Sequence, residues 1–218
     1  MLKKSLIAGV VLGLSVMASS CFAQVTYKDE VYKGNELKIP QVVCENQKAA
    51  KKINTYIVKN IASNPKKFID IHGPEGGTAW LNTEIIRDDD KYFSLRIASA
   101  TFFKGAAHPN AYMHGLVFDK QTGQQLPLSH FVTMPAPSVV EDYVRRGIFT
   151  MRTSARLAIQ LSNDMHITRI SQDYTLDKND NLTLYYQQYE LGPYAWGSPQ
   201  IMLDKLFVDR NGTVLPKG

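Results

Sequence analysis

Apolar and polar residues alternate in several short runs along the chain, and this two-residue period predicts β-strands. Two strands are expected first, "VTYKDEVYKG" and "ELKIP", ending at Gly34 and Pro40. Two longer apolar runs flank Asp88–Asp90 and predict a hairpin with a solvated turn there. A further strand, "NAYMHGLVFD", precedes the turn "KQTGQQ", in which Gly123 is the expected positive-φ residue.

The spacing changes to a helical period at two places. From Glu45, the spacing predicts an amphipathic helix with several lysines opposite its apolar face. The residues of the apolar face are Ile53, Ile57, Val58 and Ile61. Later, Ser138 and Glu141 have the spacing of a capping box, which predicts the start of a long helix. Its apolar face reaches about Ser162, and the residues placed elsewhere around this helix are Arg145, Arg146, Arg152 and Arg156.

Strand patterns return after this helix and determine the fold class. Three runs, "SQDYTLD", "NLTLYYQQYEL" and "SPQIMLDKLF", are separated by the turn segments "KNDN" and "GPYAWG". Strands that neighbour each other in sequence pair antiparallel most readily. We therefore expect an α+β fold with a mostly antiparallel sheet and two main helices packed on it.

The first 23 residues have the pattern of an export signal. Lys3 and Lys4 precede the apolar stretch "LIAGVVLGLSVMASSCFA", and cleavage is expected after Ala23. A lipid anchor at Cys21 is the alternative, although "ASS" before it lacks the usual large aliphatic residue. No later run approaches the ~20 apolar residues of a membrane span. The expected product is one α+β domain, residues 24–218, in the periplasm or secreted.

Charge and cysteine content exclude some classes of partner and site. Cleavage would leave 23 basic and 20 acidic residues, a net charge of +3, with the basic residues scattered along the chain. This pattern does not favour nucleic acid as a partner. Cleavage would also leave Cys44 without a second cysteine for a disulfide, so Cys44 is expected to be a small buried residue.

The segment "FFKGAAHPNAYMHG" contains His108, Pro109, Asn110 and His114 and is the first candidate for chemistry. On a straight strand the two histidines would share a face but lie ~20 Å apart at ~3.3 Å per residue. A zinc site would need further ligands that the local sequence does not supply. We expect no metal and no cofactor, and interpret His108 as a hydrogen-bonded residue of a turn.

A second candidate is "QYELGPYAWGSP", which contains Tyr189, Glu190, Tyr194 and Trp196. Glycines and a proline shape a tight connection here, so its aromatic rings either form a rigid stacking platform or cap the core. The chain has no nucleophile elbow, phosphate loop or paired metal-binding histidine motif. Catalysis is therefore the weaker expectation.

These segments together resemble a known family. "FKGAAHPNAYMHGLVFDKQTGQQLPLSHF" and, after a helix, "YYQQYELGPYAWGSPQIML" are similar to an extracellular domain family of unknown molecular function. That family occurs in the lysozyme-sensing anti-sigma factor RsiV and beside the catalytic domain of the peptidoglycan deacetylase PdaC. The upstream "IPQVV" and "INTYI" resemble its N-terminal companion segment. The resemblance divides the domain into an N-terminal segment, about 24–104, and an RsiV-like segment, about 105–207.

The resemblance implies a non-enzymatic envelope module that binds a lysozyme-like muramidase or peptidoglycan. The chain lacks the acid-rich metal motif that the deacetylase domain requires. The expected binding residues are His108, Pro109, Asn110, Tyr189, Glu190, Tyr194 and Trp196. The alternative is a hydrolase acting on glycan or peptide, with His108 as general base near Glu190 or Tyr194.

Overall fold

A computed structural model describes residues 24–204, 208–209 and 211–214. The predicted export signal, residues 1–23, and the possible anchor at Cys21 lie outside these ranges. No helix within the described ranges has the length and apolar character needed to cross a bilayer.

An antiparallel hairpin opens the described chain. Its strands are β1 (Gln24–Tyr32) and β2 (Asn35–Val43), joined by a turn in which Lys33 and Gly34 have positive φ. Both strands were predicted, but β2 does not end at Pro40. Pro40 pairs with Tyr27 inside a two-stranded ribbon, and such an edge tolerates a residue without an N–H.

The predicted amphipathic helix follows, and it extends beyond Ile61, the last residue of its predicted apolar face. It comprises α1 (Gln47–Ile57), one π-helical turn (Val58–Ala62) and α2 (Ser63–Gly76). The Asn46 side chain caps α1 by accepting a hydrogen bond from the backbone N of Ala49 at 3.1 Å. Ile53, Ile57 and Ile61 are buried, as predicted, but Val58 is 41% exposed. Val58 lies about 100° around the helix from Ile57 and therefore outside the buried face.

The central sheet is antiparallel, in the order β3 (Gly77–Asp88), β4 (Tyr92–Phe103), β5 (Asn110–Asp119). The predicted hairpin at Asp88–Asp90 is confirmed, and Asp89 closes it by accepting hydrogen bonds from the backbone N of Lys91 and of Tyr92 at 2.8 Å. Gly123, after β5, has φ +69°, as expected for its turn.

A second antiparallel sheet occupies the C-terminal half. Its strands are β6 (Thr150–Arg152), β7 (Ala158–Ile159), β8 (Tyr174–Leu176), β9 (Leu182–Tyr185) and β10 (Gln200–Leu203), in the spatial order β7-β6-β10-β9-β8. Asp177 closes the β8–β9 hairpin by accepting hydrogen bonds from the backbone N of Asn179 and of Asn181. The turn predicted at "KNDN" is therefore confirmed.

The predicted long helix to Ser162 is wrong. α3 spans Pro137–Arg145, nine residues, and Ala136 occupies the N-cap position instead of Ser138. The chain turns at Gly147, whose φ is +72°, and enters β6. Arg152 therefore lies on a strand and Arg156 in the following turn, where its φ is +65°.

Two hydrophobic cores lie within the part of the chain that the structure describes. One lies between α1, α2, β2 and a face of the central sheet, and includes Phe93, Leu95 and Phe118. The other lies among α3, the C-terminal sheet and the preceding loops, and includes Val117, Tyr174 and Ile201. β8 contacts β5, β4 and β3, so it connects the two halves of an α+β fold, as predicted.

Glu141 joins α3 to the loop that precedes β8. Its side chain is 15% exposed, and it accepts hydrogen bonds from Arg145, from His166 and from the backbone N of Ile167. Burial opposes ionisation, but these hydrogen bonds and the Arg145 charge lower the pKa of the carboxyl from 4.5 to about 2.

We expect Glu141→Gln to lower the free energy of unfolding by about 2 kcal/mol at neutral pH. Because the folded-state pKa lies below the unfolded value, this stabilisation is present above pH 4.5 and disappears as the pH falls to about 2. Urea unfolding of both proteins across this window measures the difference. A difference that stays constant with pH would contradict the assignment.

Candidate functional site

Two glutamine side chains attach the segment after β9 to the free edge of β5. Gln187 Oε1 accepts from the backbone N of Met113, and its Nε2 donates to the carbonyl O of the same residue, both at 2.9 Å. Gln188 Oε1 accepts from the backbone N of Ala111 at 2.9 Å. These amides take the place of a neighbouring strand. They bring residues 188–196 beside the segment that precedes β5.

His108, Tyr189 and Tyr194 meet at this junction and form a cluster, hereafter the tyrosine–histidine cluster. The rings of His108 and Tyr194 stack with centroids 4.0 Å apart at an interplanar angle of 23°. Tyr189 Oη lies 2.7 Å from His108 Nε2, and its ring centroid is 6.0 Å from that of Tyr194. Two segments about eighty residues apart in sequence therefore supply one aromatic surface.

Hydrogen bonds determine the tautomer of His108. Nδ1 lies 3.2 Å from the carbonyl O of Pro109, which can only accept, so Nδ1 carries the proton. In the neutral ring Nε2 then accepts the hydroxyl proton of Tyr189. Both ring nitrogens are occupied, which confirms the interpretation of His108 as a hydrogen-bonded turn residue.

Tyr189 has an unfavourable backbone conformation. Its φ is +65°, a left-handed value that bulky residues rarely adopt, and its side chain is 56% exposed. Such strain costs about 1 to 3 kcal/mol and persists where the surrounding structure enforces it. Here the backbone bond from Glu190 N to Gln187 O closes the turn, and Tyr189 is presented at its tip.

Glu190 lies in this turn but outside the cluster. Arg169 Nε lies 2.6 Å from Glu190 Oε1, and Glu190 Oε2 accepts from Arg169 Nη2 at 2.8 Å and from the backbone N of Gln187 at 2.9 Å. This carboxylate therefore closes the turn instead of facing His108. Of the groups in the hydrolase alternative, the structure places Tyr194, and not Glu190, against the imidazole.

Trp196 is also outside the cluster. It is half-buried and packs against the core of the C-terminal half. Its ring lies so close to Gly192 that a Cβ on that residue would overlap it. Of the two interpretations of the aromatic connection, Trp196 fits the core cap, whereas Tyr194, also half-buried, stacks on His108 instead.

Pro109 and Asn110 position the cluster without adding rings to it. Pro109 supplies the carbonyl that holds His108, and Asn110 is the exposed first residue of β5, paired with Thr101. Exposed aromatic side chains lie at the same end of the central sheet, namely Trp80, Phe103 and Tyr112. This end of the molecule is rich in aromatic surface.

His114 is separated from the cluster and contacts a different group. Its Nδ1 lies 3.6 Å from Asp173 Oδ1. Among the described residues, no three His, Cys, Asp or Glu side chains are grouped as they would be to hold a metal ion. Cys44 is buried, as expected. A cavity of about 600 Å³ between β2 and α1 includes none of the cluster residues in its lining.

Comparison with known proteins gives a family match for part of the chain. Residues 154–205 match the model of a family described as "Protein of unknown function (DUF3298)". The DUF3298 match includes Tyr189, Glu190, Tyr194 and Trp196, whereas His108 precedes it. A search of curated proteins gave no significant match. The link to RsiV and PdaC stays a prediction.

Two solved DUF3298 family structures have a similar fold. One, from Pseudomonas aeruginosa PAO1, has 14% identity and a TM-score of 0.56, covering 91% of this chain and 96% of the other. The second, from Bacteroides fragilis NCTC 9343, has 13% identity and a TM-score of 0.56, covering 84% of this chain and 89% of the other. At this identity the likeness concerns the fold alone.

The pattern analysis missed Gln187 and Gln188 as the residues that assemble the site. Their signal is a pair of amide side chains directly after a strand, "YYQQ", each able to donate and accept at once. Neither alternation nor turn propensity identifies the partner strand. It is visible only once β5 and β9 are placed in space.

Proposed function

We propose that this protein is an exported, non-enzymatic binding module of the cell envelope that recognises the glycan of peptidoglycan through the tyrosine–histidine cluster. The exposed, strained Tyr189, bonded to His108 beside the His108–Tyr194 stack, carries this proposal. Flat rings provide apolar faces for sugar rings, and the hydroxyl groups of Tyr189 and Tyr194 provide polar edges.

Rigidity supports a binding role for the cluster. The ring stack, the Tyr189–His108 bond and the Gln187–Met113 amide bridge hold the rings before any ligand arrives. Less conformational entropy is then lost on binding, because the side chains are already ordered. Strain at a residue that is exposed and not needed for core packing is typical of a ligand contact.

Charge favours the cell wall over a cationic lysozyme-like protein. Three of the four acidic side chains at Asp88–Asp90 and Glu190 have basic partners within the described chain, and Asp90 is exposed. Asp88 binds the buried Lys120 at 2.6 Å, Asp89 and Asp180 bind Arg87, and Glu190 binds Arg169. With a net charge of +3 expected for residues 24–218, an anionic polymer is the more complementary partner.

Binding is favoured over hydrolysis by the state of His108. His108 Nε2 accepts from the Tyr189 hydroxyl, so its lone pair is directed at a side chain of the protein and not at an open substrate position. The carboxylate of Glu190 is held by Arg169 and a backbone N–H. The residues of the hydrolase alternative therefore have structural partners in place of a substrate.

The expected result for Tyr194→Ala is a loss of at least about tenfold in affinity for insoluble peptidoglycan, because the variant removes one face of the stack. His108→Ala should give a similar loss, since it removes the other face and the partner of Tyr189. The measurement is a sedimentation assay with increasing amounts of purified sacculi, together with the melting temperature of each variant.

Tyr27→Ala is the control, since Tyr27 is an exposed tyrosine, 47%, on β1 outside the cluster. It should bind as the parent does. If Tyr194→Ala and Tyr27→Ala bind equally, the cluster is not the binding surface. A parallel calorimetric titration with lysozyme tests the other partner. A saturable heat signal with lysozyme, without binding to sacculi, would identify a lysozyme-like muramidase instead of peptidoglycan as the partner.

The hydrolase alternative has its own measurement. Sacculi are incubated with the protein, and soluble muropeptides and reducing ends are quantified over time. We expect no release above that from heat-inactivated protein. Release that His108→Ala abolishes would overturn the non-enzymatic role.

A further inference from the structure

A small polar cavity of about 210 Å³ lies away from the tyrosine–histidine cluster, between the central sheet and the C-terminal sheet. One face of the C-terminal sheet forms its floor, because directly paired residues of neighbouring strands point to the same side. Gln200 pairs with Tyr185 on β9 and with Arg152 on β6. Arg96 on β4 and Arg156 complete the basic lining.

The charge of this cavity is strongly positive. Glu84 lies beside Arg96 and accepts a bond from Arg156 Nη2 at 2.7 Å. The lining therefore places three guanidinium groups near one carboxylate, a formal excess of two positive charges in the part of the chain that the structure describes. An excess of this kind in a half-buried cavity favours an anion.

Arg152 is the arginine of this cavity that no described acidic side chain orients. It is half-buried, and its side chain makes no hydrogen bond or ion pair with any described residue. A guanidinium carries five N–H donors in a planar fork that matches two oxygens of a carboxylate or phosphate. Arg96 and Arg156, by contrast, are already oriented by Glu84.

Gln200 adds a buried donor without a partner. The residue is 5% exposed, and its Nε2 has no acceptor among the described atoms. An unsatisfied buried amide is costly, and native proteins retain few of them. It lies directly opposite Arg152 in the register, so both donors line the same space. Thr175, Thr183 and Tyr185 line it as well, and the hydroxyl groups of Thr175 and Tyr185 are hydrogen-bonded to each other at 2.9 Å.

We propose that this cavity is a binding site for a small organic oxyanion, a carboxylate or phosphate group attached to a short apolar part. Arg152 and the Gln200 amide hold the oxygens, while Arg96 and Arg156, fixed by Glu84, supply the surrounding positive charge. Ile86 and Met202 contribute apolar walls for the remainder of the ligand. This site is independent of the proposed glycan surface.

The test is a titration of the full chain with N-acetylalanine, acetate and inorganic phosphate, followed by calorimetry and by the Nε–Hε signals of the arginines in ¹H–¹⁵N spectra. Saturable binding of N-acetylalanine that shifts the Arg152 signal supports the site. Preference for phosphate supports it with a phosphate-bearing ligand. No saturable binding of any of the three overturns it.

Two variants and a control identify the residues. Arg152→Gln should weaken binding at least about tenfold, the loss expected for one charge-assisted contact. Gln200→Leu should also weaken binding, yet raise the melting temperature of the free protein, because it removes an unsatisfied buried amide. Arg146→Gln, at an exposed arginine paired with Asp142 on α3, should leave binding unchanged. Equal affinity of the Arg152 and Arg146 variants would refute the site.

Discussion

Gly115→Ala is expected to cost at least about 3 kcal/mol of unfolding free energy, a large effect for a single methyl group. Gly115 lies on β5 where β8 crosses the central sheet. A Cβ there would meet the backbone N, C and O of Tyr174 at 2.5 to 2.7 Å. Backbone atoms cannot rotate away as a side chain can, so the two halves of the molecule would have to separate locally.

Chemical denaturation with fluorescence detection measures this loss. Gly76→Ala serves as a control, because a Cβ at the end of α2 would meet only the Cβ of His72 at an ordinary 3.4 Å and the backbone there is not left-handed. It should change stability by less than about 1 kcal/mol. A Gly115 variant as stable as the Gly76 variant would mean that β8 and β5 are not in close contact.

Trp196→Ala is expected to lower stability by about 3 kcal/mol, near the low end for loss of a packed tryptophan because the side chain is half-buried. Its ring covers Gly192 and closes one end of the core around the C-terminal sheet. Trp80→Ala, at a 37% exposed tryptophan of β3, is the matched control and should cost less.

A binding measurement distinguishes the packing role of Trp196 from a role as a stacking platform for sugars. At a temperature where the Trp196 variant is folded, we expect it to keep its affinity for sacculi, in contrast to Tyr194→Ala. Loss of binding with unchanged stability would instead place Trp196 in the binding surface. Gly192→Ala should also lower stability, since the added methyl displaces the same ring.

Local patterns predicted most strands because each has a clear period and a turn residue at its end. The long helix was wrong for an equally local reason. Apolar residues from Val140 to Leu161 fit a helical face, but Gly147 adopts φ +72° and the backbone N of Ile148 returns to Tyr143 O. Apolar residues at helical spacing predict burial, but they do not show that the buried residues belong to one continuous helix.

The sequence predicted the residues of the candidate site and, through the hydrolase alternative, the proximity of His108 to Tyr194, but not the way they are held together. His108, Tyr189 and Tyr194 were all named in advance, but their contact depends on Gln187 and Gln188 meeting β5. The small cavity lined by Arg96, Arg152 and Arg156 could not be predicted from the sequence either, since its lining includes residues of β4, β6, β9 and β10. Side chains brought together by sheet pairing leave no common signature in sequence.

The amide bridge at β5 also restricts how a partner can dock. An open sheet edge normally accepts an extended peptide as an extra strand or pairs with a second copy of the same protein. At Ala111 and Met113 these backbone groups are already occupied by glutamine side chains. An extended peptide cannot add a strand at these positions, and the edge is protected there against strand-mediated self-association.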